Sequence, residues 1–529
     1  PAYKAAALAV TSYSDCVKEA DQEPSFFSAG EQGRWYIKYA DYLYRHGLLD
    51  QESVSPNQKT AEGRLTYGEA ELLLEAMAKE LEINDIFSQL HFRPSAKKQE
   101  KTVPEKTWWE AYETLIAGAE KSEVEFVPLL IYGTPENIRG GRSWTAYTDQ
   151  GEFGFEGLVM DIYIDREIQV CKRGNEIIRV VEEISSEVVY KNAWIASVDE
   201  SDKTFTGYVG GVKREFDTKK KLGDGTGFED QVADLHLRSG KVEKIVLKEE
   251  RINGKILAVK ENSIEVEGYG AVPMDEKFQV YRLYGEFASR TINDLLVGYD
   301  ALEFAVADGK LCAALLKHPF DADSIRVLIM DDGFQTVFHD QIQLEFLSNG
   351  TYRTGEKAYE FAEGDTLKVT MDSSLFQNGR VIFEPEDQEK GIRVISMNRS
   401  YGNPVYSGRL EISREDDGLV LVNELYLEDY LKHVVPSEMP VSYEKEALKA
   451  QAVCARTYAY RQIQGNSYKE YGAHVDDSTR FQVYNNLETS QASDAAVTET
   501  YGKILMYQNS PAEAFYFSTS CGHTTDGTI

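Results

Sequence analysis

The stretch NELYLEDYLKHVVPSEMPVSYEKEALKAQAVCARTY, residues 423–458, is the segment around which the rest of the chain is organised. Its first apolar residues recur at helical spacing: Leu427, Tyr430, Leu431 and Val434. This spacing predicts an amphipathic helix over residues 425–435. Pro436 should end that helix, because the residue before a proline is pushed out of the α-helical region. The segment therefore predicts a short helix, a turn bounded by prolines and a longer helix.

The longer helix is predicted over residues 443–463, with Ser442 as its N-cap. Glu444 and Glu446 then fall in the first turn, where the helix dipole favours negative charge. The helix is dense in alanine: Ala447, Ala450, Ala452, Ala455 and Ala459. Small side chains let neighbouring backbones approach closely, so we expect this helix to be central and buried.

Glu438 is the one carboxylate of the predicted turn, and it lies between Pro436 and Pro440 near Val434 and Val435. An apolar surrounding raises the pKa of a carboxyl group, which suits a general acid. The alternative is that Glu438 caps the next helix or faces solvent, because glutamates in loops are mostly exposed. Composition and spacing alone favour this alternative.

An ordered series of short motifs extends to the C-terminus. It comprises YSGRL (406–410), EDYL (428–431), VVPSEMP (434–440), EALKAQAVCARTY (446–458), QVY (482–484), VTETYG (497–502) and YFSTS (516–520). The series resembles the SpoIID/LytB family, the stage II sporulation protein D type of peptidoglycan lytic transglycosylase. An ordered series is more specific than one short motif. The resemblance covers the chain from roughly residue 325 to the end, under half of its length.

The resemblance implies cleavage of the MurNAc–GlcNAc glycosidic bond with formation of 1,6-anhydro-MurNAc. Ordinary glycosidases use two carboxylates. In the resembled family the C6 hydroxyl of the muramic acid attacks its own anomeric carbon, so one acid/base carboxylate can suffice. Glu438 matches the catalytic glutamate of that family. The rival function is a glycan-binding enhancer of a cell-wall amidase that cuts nothing itself, because the wider family includes proteins described in this way.

The resemblance also implies a set of substrate-binding residues: Arg456, Gln451, Lys449, Gln482, Tyr516, Ser518 and Ser520. For Arg456 the alternative is a structural salt bridge to Glu428 or Asp429, since an unpaired buried charge is costly. Lys449 and Gln451 face the same choice, and there the structural alternative is favoured. The segment 516–518 has the alternative of being simply a buried strand.

His474, Asp476 and Asp477 form a cluster that could bind a metal. Some members of the resembled family place cysteines around this loop and hold zinc there. Here no cysteine is present and Arg480 follows closely, so we predict a solvated loop without zinc. The resemblance implies no other cofactor.

The net charge of −31 argues against nucleic acid or anionic lipid as a partner, because both require a basic footprint. The five cysteines form no CxxC pair. This argues against a zinc framework and against a dense disulfide scaffold. No stretch approaches the ~20 apolar residues of a membrane span. The resemblance implies export to the cell envelope or beyond it, with peptidoglycan glycan strands as partners. Cell-wall polymers or an amidase are further candidate partners.

The sequence predicts a multidomain α+β protein. Residues 1–122 form a helical module in which Thr66 and Glu69 give a capping box. This module weakly resembles an S-layer homology repeat, and an unrelated helical hairpin is the alternative. Residues 123–300 are predicted to form β-rich barrels or sandwiches. Residues 301–529 form the SpoIID-like domain, which we expect to be cut short at its C-terminus, and we interpret the chain as a fragment.

Overall fold

A computed structural model describes most of the chain: residues 1–23, 25–27, 33–49, 64–83, 92, 95, 97–199, 203–219, 227–355, 357–517 and 522, without the side chains of 377 and 378. The chain divides into two compact units, Pro1–Leu247 and Lys248–Ile529. Helices and strands are mixed, with helices at the N-terminus and a β-rich middle. The predicted multidomain α+β class is therefore confirmed at this level.

The first unit begins with short helices: α1 (Ala2–Val10), α2 (Tyr13–Gln22), α3 (Ile37–Arg45), α4 (Tyr67–Glu80) and α5 (Glu105–Ala117). The predicted capping box at the start of α4 is confirmed. The backbone N–H of Glu69 donates to the Thr66 hydroxyl, and the Glu69 carboxylate accepts from the Thr66 N–H. Among the described residues of the whole chain, no helix is long and apolar enough to cross a membrane.

Two closed five-stranded barrels complete the first unit. The strands of one are β1 (Val124–Gly133), β2 (Thr145–Thr148), β3 (Gly151–Gly154), β4 (Glu167–Arg173) and β5 (Glu176–Ser185). Those of the other are β6 (Glu187–Asp199), β7 (Thr204–Val209), β8 (Val212–Thr218), β9 (Gln231–Arg238) and β10 (Lys241–Leu247). Buried and partly exposed residues alternate along β7, as expected for a barrel strand with an inner and an outer face.

The second unit opens with a seven-stranded sheet in the order β11-β16-β17-β14-β13-β12, to which β15 is added beside β14. Its strands are β11 (Glu250–Ile252), β12 (Ile256–Val259), β13 (Ser263–Val266), β14 (Gly270–Arg282), β15 (Ala288–Arg290), β16 (Leu302–Ala307) and β17 (Lys310–Leu316). Residue 300 therefore lies between two strands of one sheet. The domain boundaries at 122/123 and 300/301 stay predictions.

Two further sheets form the framework of the C-terminal part. One has the order β21-β20-β23-β26-β27-β18-β28 and the other β22-β19-β24-β25, where the strands are β18 (Ser324–Ile329), β19 (Gln341–Phe346), β20 (Gly350–Thr354), β21 (Lys357–Phe361), β22 (Thr366–Thr370), β23 (Val381–Pro385), β24 (Ile392–Val394), β25 (Val405–Tyr406), β26 (Arg409–Glu415), β27 (Gly418–Tyr426) and β28 (Val475–Asp476). Every residue of β27 except the last is buried, so this strand is the centre of the framework.

Helices α6 (Leu427–Glu438), α7 (Lys445–Gly465) and α8 (Gln491–Glu499) pack beside these sheets. Helix α6 continues directly from the central strand β27. Ala452, Ala455 and Ala459 on α7 are fully buried, which confirms that the alanine-rich helix is central. The last paired strands in the part of the chain that the structure describes are β29 (Met506–Tyr507) and β30 (Ser510–Pro511).

The ends of α6 and α7 differ from the prediction. Pro436 lies inside α6, which runs on to Glu438. A proline in the last turn removes one backbone hydrogen bond, and the hydroxyl of Ser437 donates to the His433 carbonyl at 2.8 Å in the same turn. Ser442 does not cap α7, because the N–H of Tyr443 closes a turn onto the carbonyl of Pro440, and the helix begins two residues later.

A network of charges, buried at its centre and partly exposed at its edge, joins the first sheet of the second unit to the framework sheets. Its carboxylates are Glu265, Glu267, Glu384, Glu411 and Glu424, and its cations are Lys255, Arg326, Arg353, Arg380 and Arg409. Arg326 is fully buried and pairs with both Glu411 and Glu424. Burial would raise the pKa of Glu424, but the nearby cations, Arg326 first, lower it to about 2. Because acids and bases are matched, we interpret this network as structural.

Candidate active site around Glu438

Glu438 is the last residue of α6, and the geometry of the helix end sets its position. The N–H of Met439 donates to the carbonyl of Val435 at 3.0 Å, so the backbone is still hydrogen-bonded one residue beyond Glu438. Glu438 does not cap α7, whose N-cap residue is Glu444. The alternative that Glu438 caps the next helix is therefore wrong. Glu438 belongs to α6, the helix before the turn.

The carboxyl group of Glu438 is held on one oxygen. The backbone N–H of Val483 donates to Oε1 at 2.7 Å. Oε2 makes no hydrogen bond to any described residue. It is not enclosed by the protein, so solvent can reach it. No described lysine or arginine forms an ion pair with this half-buried carboxylate. The side chain thus presents one fixed and one accessible oxygen.

Burial raises the pKa of the Glu438 carboxyl, and the Val483 N–H, which stabilises the carboxylate, opposes this effect without cancelling it. No charged side chain among the described residues adds to either influence. The raised pKa predicted from the apolar surroundings is confirmed. A carboxyl with a raised pKa keeps its proton at higher pH than an exposed glutamate, as a general acid requires.

Gln482 lies next to Val483 and is fully buried. Its Oε1 accepts from the hydroxyl of Tyr430 at 3.2 Å, and its Nε2 donates to the hydroxyl oxygen of Tyr516 at 2.8 Å. Tyr516 is half-buried, and its pKa is raised by burial and by the charge of Glu438. Of the predicted substrate-binding residues, Gln482 and Tyr516 therefore lie together beside the candidate acid.

Arg456 is buried and makes a bidentate ion pair with Glu428. Its Nε and Nη2 donate to the two carboxylate oxygens of Glu428 at 2.6 and 2.7 Å. Further donations reach the carbonyls of Val497 and Lys503 at 3.2 and 3.1 Å. Since Glu428 lies on α6, Arg456 on α7 and Val497 on α8, one guanidinium joins all of these helices. This is the structural alternative that the sequence raised, and a substrate contact by Arg456 stays a prediction.

Lys449 and Gln451 lie nearer the start of α7 than Arg456 and make no hydrogen bond or ion pair to Glu438. The ammonium group of Lys449 pairs with Glu446 at 2.8 Å and with Glu499 at 3.6 Å. Gln451 is buried, and its Nε2 has no hydrogen-bond partner among the described residues. Ser518 and Ser520 lie outside the described residues.

The expectation that residues 474–477 form a solvated loop is wrong. His474, Asp476 and Asp477 are all fully buried. His474 accepts from the N–H of Arg326 at Nδ1 and donates from Nε2 to the carbonyl of Val297 at 3.0 Å. Burial lowers its pKa to about 3, so the ring is neutral.

The carboxylates of this loop are likewise occupied. Asp477 pairs with Arg399 at 2.6 Å, and Asp476 accepts from the hydroxyls of Tyr468 and Ser478. These side chains bind protein groups because strand β28 inserts next to β18 and carries them into the interior. The sequence pattern showed only that these side chains are polar. Their burial depends on the pairing of β28 with β18, a strand about 150 residues away in the chain.

Two groups of the site carry weak sequence signals. The Val483 N–H is a backbone donor, and a side-chain pattern cannot single it out. Tyr430 fits the apolar stripe of α6, yet its hydroxyl supports Gln482. The motifs EDYL and QVY contain both residues, so motif order was the one signal that could have pointed to them.

Comparison with known proteins gives a family for this region. The family model described as "SpoIID: Stage II sporulation protein" matches residues 415–507. This range includes Glu438, Arg456 and Gln482. The C-terminal part of the chain therefore contains a SpoIID domain, the family that the motifs predict.

Three curated relatives are similar to a part of the chain. Stage II sporulation protein D of Bacillus amyloliquefaciens is 45% identical over 117 residues, and that of Bacillus subtilis (strain 168) is 43% identical over 118 residues. The match covers 20% of this chain and 34% of each relative. The amidase enhancer of Bacillus subtilis (strain 168) is 44% identical over 94 residues, which are 18% of this chain and 12% of that protein. The chain thus spans about a third of the length of the sporulation proteins it matches.

Proposed function

We propose that the SpoIID domain is a lytic transglycosylase that cleaves the MurNAc–GlcNAc bond of peptidoglycan and forms 1,6-anhydro-MurNAc. The observation that carries the proposal is the state of Glu438. Its carboxyl is half-buried, has a raised pKa, is fixed on one oxygen by Val483, and pairs with no described cation. A partly buried structural glutamate would instead be neutralised by a partner, as Glu428 is by Arg456.

In the first step, the protonated carboxyl of Glu438 donates its proton to the glycosidic oxygen as the bond to the MurNAc C1 breaks. The GlcNAc chain leaves with that proton as an alcohol. General acid catalysis of this kind contributes roughly a hundred- to ten-thousandfold in rate. The half-buried position of Glu438 supports this step, because it favours the protonated form before the bond breaks.

In the second step, the carboxylate of Glu438 takes the proton of the C6 hydroxyl of the same MurNAc. The C6 oxygen bonds to C1, so the anhydro ring closes and Glu438 regains its proton. No water enters the product. This sequence uses one carboxyl group, and no second carboxylate among the described residues acts on the pKa of Glu438. Inverting and retaining glycosidases would need a second carboxylate nearby.

The setting of the reaction follows from the substrate. Peptidoglycan lies outside the cytoplasmic membrane, so we propose that the protein is exported to the cell envelope or beyond it and binds glycan strands there. The names of the sporulation relatives support a role in sporulating cells. A cell-wall polymer is a further candidate ligand of the chain.

A non-catalytic role is the second candidate function, favoured by the similarity to a protein named amidase enhancer. In that case the surface beside Glu438 would hold a glycan strand for a partner amidase. The two functions differ in their products, since an enhancer alone leaves the glycan uncut.

The test compares the full chain with its Glu438→Gln variant on purified peptidoglycan, with mass spectrometry of the soluble products. Glu470→Gln serves as the control, because Glu470 is an exposed glutamate of the same unit. We expect anhydro-MurNAc ends from the wild type and the control, and a loss of at least about a hundredfold in Glu438→Gln. Glycan binding without any anhydro product would support the enhancer function instead.

A further inference from the structure

The side-chain amide of Gln482 has no free donor. Nε2 donates to the carbonyl of Ala455 at 3.2 Å and to Tyr516 at 2.8 Å, while Oε1 accepts from Tyr430 at 3.2 Å. A glutamine amide has two N–H donors, so both are used inside the protein. The Ala455 carbonyl can only accept, which fixes the side of the amide that carries the nitrogen. Gln482 cannot donate to a glycan without breaking one of these contacts.

The partners of Gln482 lie on different elements of the site. Tyr430 is on α6, the helix that ends at Glu438, and Ala455 is on α7. The amide therefore ties the segment containing Gln482 to both helices. The peptide that follows carries the Val483 N–H, which binds Oε1 of Glu438. A side chain fixed at three points thus sets the direction of the next backbone donor.

We infer that Gln482 is a positioning residue for Glu438. Its buried amide holds the peptide between Gln482 and Val483 against the end of α6, so that the Val483 N–H occupies Oε1 and Oε2 is the oxygen that exchanges the proton. The catalytic meaning of this arrangement rests on the proposed function, whereas the arrangement itself can be tested without activity. It replaces substrate binding as the role of Gln482.

The arrangement has a consequence for the charge state of Glu438. A carboxyl that acts first as an acid and then as a base works best when neither form is strongly favoured. Burial favours the protonated form, and the Val483 N–H favours the carboxylate. Without the hold of Gln482, we expect the N–H to loosen and the Glu438 carboxyl to titrate at a higher pH.

The other groups around Glu438 do not compete with this effect. Tyr430 and Tyr516 face it from α6 and from the C-terminal segment, and burial raises the pKa of both phenols. Tyr458 and Asp476 act on Tyr430, and Tyr458 and Cys454 act on Tyr516. His433, on the turn of α6 before Glu438, is neutral because burial lowers its pKa to about 4.

The test follows the carboxyl of Glu438 by NMR in the full chain labelled with carbon-13 at glutamate carboxyls. The Glu438 signal is identified as the one missing from Glu438→Gln. The test variants are Gln482→Leu, which removes all three contacts, and Tyr430→Phe, which removes one and keeps the ring. Tyr484→Phe is the matched control, since its buried hydroxyl donates to Asn423 at 2.7 Å and does not contact Gln482.

We expect the titration midpoint of Glu438 to rise by up to about one pH unit in Gln482→Leu, the effect of one backbone N–H on a carboxylate. Tyr430→Phe should shift it in the same direction by less, and Tyr484→Phe should leave it unchanged. Should Gln482→Leu fail to fold, the comparison of Tyr430→Phe with Tyr484→Phe decides.

An unchanged midpoint in folded Gln482→Leu or Tyr430→Phe would overturn the inference, as would an equal shift in Tyr484→Phe. A raised KM for glycan with an unchanged midpoint would return Gln482 to substrate binding. Failure of the proposed function would show separately, as a wild-type protein that makes no anhydro product while the midpoints still shift.

Discussion

The carboxyl of Glu438 accepts a hydrogen bond from the backbone of Val483, 45 residues further along the chain, at 2.7 Å. This contact brings together the end of α6 and the QVY motif, which the sequence shows only as separate segments. It also distinguishes the two carboxylate oxygens, because one is occupied and the other is open. The proposed chemistry of the SpoIID domain depends on this difference.

The stability of the wild type relative to Glu438→Gln should depend on pH. The folded-state pKa of Glu438 is raised by burial above that of the unfolded chain, about 4.3. A group raised in this way contributes fully below the unfolded pKa, and its contribution is lost as the pH rises through the folded pKa. We therefore expect the Tm of Glu438→Gln, relative to that of the wild type, to be higher at pH 7 than at pH 4.

The measurement is thermal unfolding of both proteins at pH 4 and pH 7, with Glu470→Gln as the control for loss of a surface carboxylate. A difference in Tm between Glu438→Gln and the wild type that stays constant with pH would contradict the raised pKa of Glu438.

Arg456→Met should destabilise the C-terminal unit by about 3–5 kcal/mol, because Glu428 would be left without its buried partner. The double variant Arg456→Met with Glu428→Met should recover part of this loss, since no uncompensated charge then remains. Urea unfolding of the single and double variants measures the coupling between the two residues. If Arg456 served the glycan alone, the single variant would keep its stability and lose only binding or activity.

Gly472→Ala should destabilise the same unit by about 1–3 kcal/mol. Gly472 has a φ of +86°, and a Cβ there would lie 2.1 Å from the carbonyl oxygen of Leu257, a backbone atom that cannot easily move. Gly465→Ala at the end of α7 is the control, because a Cβ there meets nothing closer than 3.9 Å. Urea unfolding compares the two variants, and equal stability would show that the contact between residues 257 and 472 is unimportant.

Local features of the fold could be predicted from the sequence. The capping box of Thr66 and Glu69 depends on residues three positions apart, and the burial of α7 follows from its alanines. The predicted helix ends near Pro436 and Ser442 were wrong. The packing of α6 and a turn at Pro440 outweighed the local conformational preferences of these residues. Propensity acts over a few residues, and these ends are set by tertiary contacts.

The candidate site was predictable as a set of motifs and not as a geometry. Family resemblance identified Glu438, and the apolar neighbours indicated its raised pKa. The salt bridge of Arg456 was one of two alternatives that the sequence left open. It forms in the structure, where the same guanidinium also donates to a carbonyl of α8. The burial of His474 and the donor at Val483 both depend on strands and loops distant in sequence, which no local pattern encodes.

Under the proposed function, Glu438 directs an internal attack by the C6 hydroxyl and not an attack by water. The most direct measurement is digestion of peptidoglycan by the full chain in water enriched in oxygen-18, with mass spectrometry of the new glycan ends. We expect anhydro-MurNAc ends that carry no solvent oxygen and are absent with Glu438→Gln. Reducing MurNAc ends that carry oxygen-18 would contradict it, and so would anhydro ends formed at an undiminished rate by Glu438→Gln.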